Sequence, residues 1–378
     1  MKIAIAGGSI AGLSAALTLN CIGHDVCVYE RADHARLGHG GGVAVLRPMM
    51  AFLEAHGPHG HYSRAMLGVP TRRRRWIDRD GRVVGDAAEW LPFSSWDVVY
   101  RSLCAMLPDG LIRYGSPVTC VSHDAGGVDV LIGSTLERVD LLVAAEGTGS
   151  GIRTALFPDC TPVYAGYIAW RGVVDEAAFA PGAIDALVEN LTLHRQPGEL
   201  FMAFLMPALD GSRAPRTRRF NWIWYRNEPD DDRLRRYLTD ADGRPHHASV
   251  GPGRLSAESA GELARLAHER LPAVLSQLVA ATGAPFVQAI SDLLSPAFAD
   301  GRIVLAGDAA CTLRPHTASG TSKAAADAVA LAQALPPGTG DVAQRVAGWA
   351  AARRAAAIAL ADTGVRLAAG FGLGSAHA

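Results

Sequence analysis

The chain has 378 residues, 49% of them apolar and 19% charged, and its formal net charge is −1. That length exceeds one ordinary domain and predicts a large domain with a smaller one beside it. A near-neutral charge balance excludes a general nucleic-acid or anionic-membrane binder, which needs a basic excess.

Residues 2–6 are a short apolar, β-compatible run, and two glycines follow. An Ala/Leu-rich helix is then predicted from Ile10 to Leu19, and a second strand over 26–30. This is a βαβ opening, and it explains the apolar start better than a secretory leader does. The turn reads Gly7-Gly8-Ser9-Ile10-Ala11-Gly12. Glycines there let a helix N-terminus approach a pyrophosphate, whose charge the free amides and the helix dipole stabilise. Glu30, with Arg31 beside it, ends the second strand, where an acid accepts hydrogen bonds from an adenosine ribose.

Further along, 71–84 reads as a hairpin about Asp80-Gly81, its arginine run Arg72 to Arg75 lying on an edge strand. Two strands flank 117–145, the second being Leu141–Ala144. From 164 to 226 the texture turns aromatic and β-rich, which predicts an antiparallel sheet in a second domain. Residues 255–281 look helical, 303–306 is a buried-strand signal, and helices are expected over 320–335 and 341–369. His56, His59 and His61 share a Gly/Pro loop without the scaffolding a metal needs, so no metal site is expected. The six cysteines are scattered without a paired motif, and no run is apolar enough to span a bilayer. Reduced thiols in the cytoplasm, no membrane association, and a monomer or homodimer are the expectation.

Three further segments specify the dinucleotide. Leu141 to Gly147 with Ser150 and Arg153 resembles the Asp-Gly motif of the flavoprotein aromatic hydroxylases, the para-hydroxybenzoate hydroxylase superfamily. Glu146 stands there in place of Asp. Arg302 to Ala310 resembles their Gly-Asp motif, with Asp308 as the acid, and Arg101 stands where the family has a flavin-contacting arginine. Within the superfamily the chain resembles the bacterial branch exemplified by 2,6-dihydroxypyridine 3-hydroxylase, through segments spread over nearly its whole length. The resemblance implies an α/β fold: a Rossmann-like FAD-binding domain (1–66, 97–160 and 286–335), an antiparallel substrate sheet (67–96 and 161–285) and a C-terminal helical segment (336–378).

It also implies FAD as cofactor, NADPH or NADH as transient reductant, and O2 as co-substrate. An electron-rich aromatic or N-heteroaromatic ring would be hydroxylated through a flavin hydroperoxide. The loop carrying Pro315 and His316, which ends at Gly320 and Thr321, would pass the flavin ring, with the helix start facing its electron-poor edge. The glycine segment 40–46 would lie beside the flavin and bring Val45 to the substrate. Tyr167, Phe201, Ala203, Phe204, Met206, Asn221, Trp222 and Trp224 are candidates for the pocket wall. Strand alternation allows only about half of them to face it. His194, Tyr225 and His316 are the candidate catalytic groups. Ala44 stands where the related 6-hydroxynicotinate hydroxylases carry a histidine. Epoxidation, decarboxylative hydroxylation or oxidative rearrangement on the same fold remain alternatives, as does a non-catalytic FAD carrier. A halogenase is excluded: Tyr225-Arg226 follows Trp222-Ile223-Trp224 where that family has its Ile-Pro ending, and neither Lys2 nor Lys323 suits the substrate lysine.

Overall fold

The computed structural model describes residues 1–35, 41–58 and 67–374. A six-stranded sheet runs in the order Ala299–Asp300, Ile303–Leu305, Leu141–Ala144, Lys2–Ala6, Asp25–Tyr29 and Ile112–Arg113. All its pairings are parallel except the first. Its central strands are buried on both faces, which is why they read as unbroken apolar runs. The first helix, Ile10–Cys21, is buried nearly all round, so it has no polar stripe. It packs against the helix Gly320–Ala334, where Thr18 Oγ1 donates to Ala328 O at 3.2 Å. A small antiparallel sheet, Val118–His123, Val128–Ile132 and Thr135–Val139, precedes Leu141, three strands where the sequence suggested one.

The second sheet has ten strands. Its middle is Phe286–Leu294, Val163–Asp175, Arg219–Asn227, Glu199–Met206, Asn190–Gln196, Val69–Ile77 and Val83–Ser95, with Gly42–Ala44 at one end. Two strands expected in the nucleotide-binding half, Gly42–Ala44 and Phe286–Leu294, therefore belong to this sheet. Trp170 lies opposite Trp224, and Gly172 opposite Trp222. A Cβ on Gly172 would sit 2.5 Å from the Trp222 ring, so glycine is required for that indole to lie across the strand. Trp222 Nε1 donates to Thr282 Oγ1 at 2.8 Å.

Behind the sheet lie two helices, Ala257–Arg270 and Ala273–Ala280. A single helix over 255–281 is interrupted because Pro272 lacks the N–H that would continue it and instead caps the second helix. The last helix, Val342–Gly370, closes the fold. No helix among the described residues is long and apolar enough to cross a membrane, and no cluster of metal-ligating side chains occurs among them. His56 Nδ1 donates to Phe52 O of its own helix, while Gly40, His59 and His61 lie outside the described residues.

Candidate active site

A cleft of about 630 Å³ opens at the carboxyl ends of the parallel strands, the usual ligand position in such sheets. Gly7, Gly8, Ser9, Ile10 and Ala11 line it together with Glu30, Arg31, Glu146, Asp308, Gly320 and Thr321. Gly7 has φ +103°, and a Cβ there would lie 2.5 Å from Ala145 O. Gly12 stands behind the wall, where a Cβ would meet Gly7 O at 1.9 Å. These two positions admit no side chain if the helix is to meet the strand. Ser9 caps the first helix without using its side chain, so its hydroxyl stays available to a phosphate.

Glu30 accepts from Gly8 N at 2.8 Å and from Ala32 N at 2.9 Å. Each carboxylate oxygen keeps a further lone pair for a sugar hydroxyl. At the other end of the cleft, Ser150 Oγ donates to Glu146 at 2.5 Å, which fixes that carboxylate beside the helix Gly151–Leu156. Gly307 has φ +58° and starts the turn that turns Asp308 into the cleft. Lys323, buried, donates from Nζ to Gly307 O at 3.0 Å and to Asp327 at 2.8 Å. The surrounding protein raises the Asp308 carboxyl above its ordinary value, and the Lys323 charge opposes that rise.

From the cleft the loop 314–320 reaches the front of the ten-stranded sheet. His316 Nε2 lies 3.0 Å from Tyr167 Oη, and its ring stands 4.6 Å from that of Tyr225 and 5.7 Å from that of Phe371. Burial, aided by the Arg314 charge, lowers the imidazole to about 4. Arg314 pairs with Asp292 at 2.7 Å and stands over the Tyr167 ring. Burial pushes Tyr225 up to about 12, with Arg171 pulling the other way, and holds the Tyr167 hydroxyl well above its usual value.

Register divides the remaining candidates between two faces. Tyr167, Tyr225, Asn221 and Phe204 share the front, and Met206 has the same phase. Phe201, Ala203, Trp222 and Trp224 point backward into the core against the helices, so they cannot line a pocket beside the flavin loop. His194 shares their phase: its ring bonds Ile77 O and Gln196 at 2.9 Å each, which is a structural role. Val45 is 1% exposed within the nucleotide-side core, and its neighbour Ala44 takes the front face instead.

Comparison with known proteins decides the family. A 2,6-dihydroxypyridine 3-monooxygenase of Paenarthrobacter nicotinovorans is 30% identical over 341 residues, covering 88% of this chain and 82% of its own. The chain belongs to the FAD-dependent aromatic hydroxylases. A 6-hydroxynicotinate 3-monooxygenase of Pseudomonas fluorescens is 27% identical, covering 88% of this chain and 82% of its own. The solved structure of 2,6-dihydroxypyridine-3-hydroxylase from Arthrobacter nicotinovorans aligns with a TM-score of 0.90 at 28% identity, over 99% of this chain and 93% of that one. A family model described as FAD binding domain-like matches residues 164–292. The hydroxylase is thus an NAD(P)H-consuming, FAD-dependent monooxygenase acting on an aromatic small molecule with O2.

FAD fits the cleft on its own geometry. The side-chain-free turn at Gly7 and Gly12 suits a diphosphate, and acids stand at both ends for sugar and ribityl hydroxyls. Arg101 and Pro315 are not among the residues lining the hydroxylase cleft. The helix Trp96–Met106 instead presents Trp96 and Tyr100, stacked at 4.7 Å between centroids. Sequence reasoning missed both, although two aromatics four residues apart in a helix necessarily share a face. It also missed Lys323, whose value lies in its partners rather than its motif.

Proposed function

We propose that this hydroxylase adds oxygen to a flat, electron-rich hydroxyarene or hydroxylated N-heteroaromatic, next to the ring hydroxyl. The observation that carries the reading is the bond between His316 and Tyr167, which joins the flavin-side loop to the front of the sheet. FAD, when bound, would supply the electrophilic oxygen at the expense of NAD(P)H. Everything else falls to the chain. Gly7 to Gly12 and Glu30, with Arg31 at the rim, hold the adenosine diphosphate half. Asp308, Glu146, Gly320 and Thr321 hold the ribityl and ring end, and Lys323 keeps the Gly307 turn in place.

His316 is uncharged at neutral pH, so its imidazole can accept a hydrogen bond from a ring hydroxyl while Tyr167 fixes it. Polarising that O–H raises electron density at the adjacent carbon, which is what an electrophilic oxygen needs. Tyr225 stays protonated and presents a ring edge with Phe204 and Asn221 nearby, a wall suited to a planar ligand. The named substrates of two relatives, both hydroxylated pyridines, favour the nitrogen ring. Unpaired thiols at the described cysteines fit a cytoplasmic enzyme, working as a monomer or homodimer without a nucleic-acid partner.

The test supplies NADH or NADPH and oxygen with a panel of phenols, pyridinols and non-aromatic alkenes, and follows oxygen incorporation by mass. Hydroxyarenes are expected to gain oxygen at the ortho carbon. Oxygenation of the alkenes alone, with peroxide leakage from every hydroxyarene, would overturn the reading.

A further inference from the structure

Arg171 leaves the front of the sheet from its middle strand, and its guanidinium is poorly matched. Nη1 reaches Gln288 Oε1 at 3.4 Å, Nε is buried without a partner, and the ring of Phe286 lies 5.6 Å from Cζ. Three other buried arginines are paired with carboxylates: Arg218 with Glu176, Arg226 with Glu199, and Arg314 with Asp292. Arg171 has no acid partner among the described residues. A charge withdrawn from water without a counter-charge is costly unless something completes the site.

Asn221, 1% exposed, offers a second free donor close by. Its Oδ1 accepts from Gly42 N at 2.8 Å, which fixes the amide orientation, and its Nδ2 is left buried with no partner. Both side chains flank the same glycine pair. A Cβ on Gly41 would lie 2.7 Å from Arg171 Nη2 and 3.3 Å from Asn221 Oδ1, and one on Gly42 would lie 3.0 Å from Asn221 Cγ. The glycines bring no side chain, and so no counter-charge, to the corner. Gly41 O also accepts from Trp96 N at 3.0 Å, so the corner adjoins the cofactor cleft that Trp96 lines.

We propose that Arg171 and Asn221 form the subsite that recognises an anionic oxygen of the substrate, either a ring carboxylate or an ionised ring hydroxyl. This deepens the hydroxylase reading and rests on it. The guanidinium supplies charge-assisted bonds and the amide a neutral one, so a single oxyanion satisfies both unpaired donors at once. Anchoring the ring by its oxyanion fixes which carbon faces the oxygen donor, and that makes the pair a determinant of regiochemistry.

The experiment measures binding to the FAD-loaded protein by flavin absorbance. The probes are 4-hydroxybenzoate, its neutral counterpart 4-hydroxybenzamide, and 4-nitrophenol titrated through its own ionisation. The wild type should bind the anionic forms about tenfold or more tighter than the neutral ones. Arg171→Met should remove that preference while neutral binding stays within about twofold, the loss being that of a charged hydrogen bond. Asn221→Asp changes almost no volume and places a carboxylate beside Arg171, so it too should abolish the anion preference with FAD content unchanged. Preference for 4-hydroxybenzoate at all pH values identifies a carboxylate, and affinity that follows nitrophenol ionisation identifies a ring oxyanion. An anion-to-neutral ratio near one in the wild type, or a ratio untouched in Asn221→Asp, overturns the subsite. Oxygen incorporation is followed on the same samples. Anion preference without hydroxylated product counts against the hydroxylase reading and leaves the subsite standing.

Discussion

The back of the ten-stranded sheet meets the helices Ala257–Arg270 and Ala273–Ala280 through Trp170, Trp222, Trp224 and Phe201, while its front turns Tyr167, Tyr225, Asn221 and Arg171 toward the glycine pair and the loop 314–320. Both faces are aromatic and buried, so hydrophobicity does not distinguish them. Unpaired charge does. Behind the sheet the Trp222 indole N–H is matched by Thr282 and that of Trp170 is not, but both groups are neutral, whereas the front holds the Arg171 guanidinium without a carboxylate beside the unpartnered Asn221 Nδ2. A buried face of neutral groups is a core, and one that holds a charge without a counter-charge awaits a ligand.

The largest expected effect that would break this contrast is on stability. Trp222→Ala removes a fully buried ring stacked on Phe201, and should cost about 3–5 kcal/mol in chemical denaturation. Tyr225→Phe, on the front, removes a single hydroxyl and should cost about 1 kcal/mol or less. Equal losses from the two would mean that the front is core as well.

Asp308→Ala sharpens the contrast within the cofactor cleft. Removing a charged acceptor should weaken FAD by about 1.5–3 kcal/mol, or tenfold to a hundredfold, in a fluorescence titration. The apoprotein should melt no earlier, because Asp308 is exposed at the open cleft. An earlier melt with unchanged FAD affinity would assign Asp308 to the scaffold.

The smallest effect concerns pH. His316 sits at about 4 in the fold against an ordinary 6.5, so between those values the unfolded chain binds a proton that the native one does not. Stability should therefore be full above 6.5 and fall as pH drops toward 4. His316→Gln should flatten that slope in urea titrations, and Tyr167→Phe should cost about 1 kcal/mol or less from the lost bond. A slope unchanged in His316→Gln would remove the imidazole from the account.

Much of the cofactor side was legible because a diphosphate imposes local backbone demands: Gly7, Gly12 and Glu30 lie within one βαβ unit, and each is constrained by its near neighbours. The substrate side was not. Every residue of Arg219–Tyr225 and also Arg226 is buried, so polar and apolar residues do not alternate to set the phase. Trp222 and Trp224 looked as suitable for a pocket as Asn221 and Tyr225, and a one-residue phase also separates Val45 from Ala44. His194 looked catalytic as a lone histidine on an aromatic strand; its bond to Ile77 depends on a parallel pairing with distant residues 69–77. Arg101 followed a family position, yet helix geometry turns Trp96 and Tyr100 to the cleft.

The buried position of Lys323 has a practical consequence for handling the enzyme. The sequence holds only two lysines, and Lys323 is 3% exposed with its ammonium committed to Gly307 O and Asp327. Lys2 is the lysine left for an amine-reactive reagent, at the start of a strand whose opposite end forms the cleft. Coupling through lysine should therefore tether every molecule by nearly the same point and present the cofactor cleft away from the support, giving an oriented surface without engineering an attachment site.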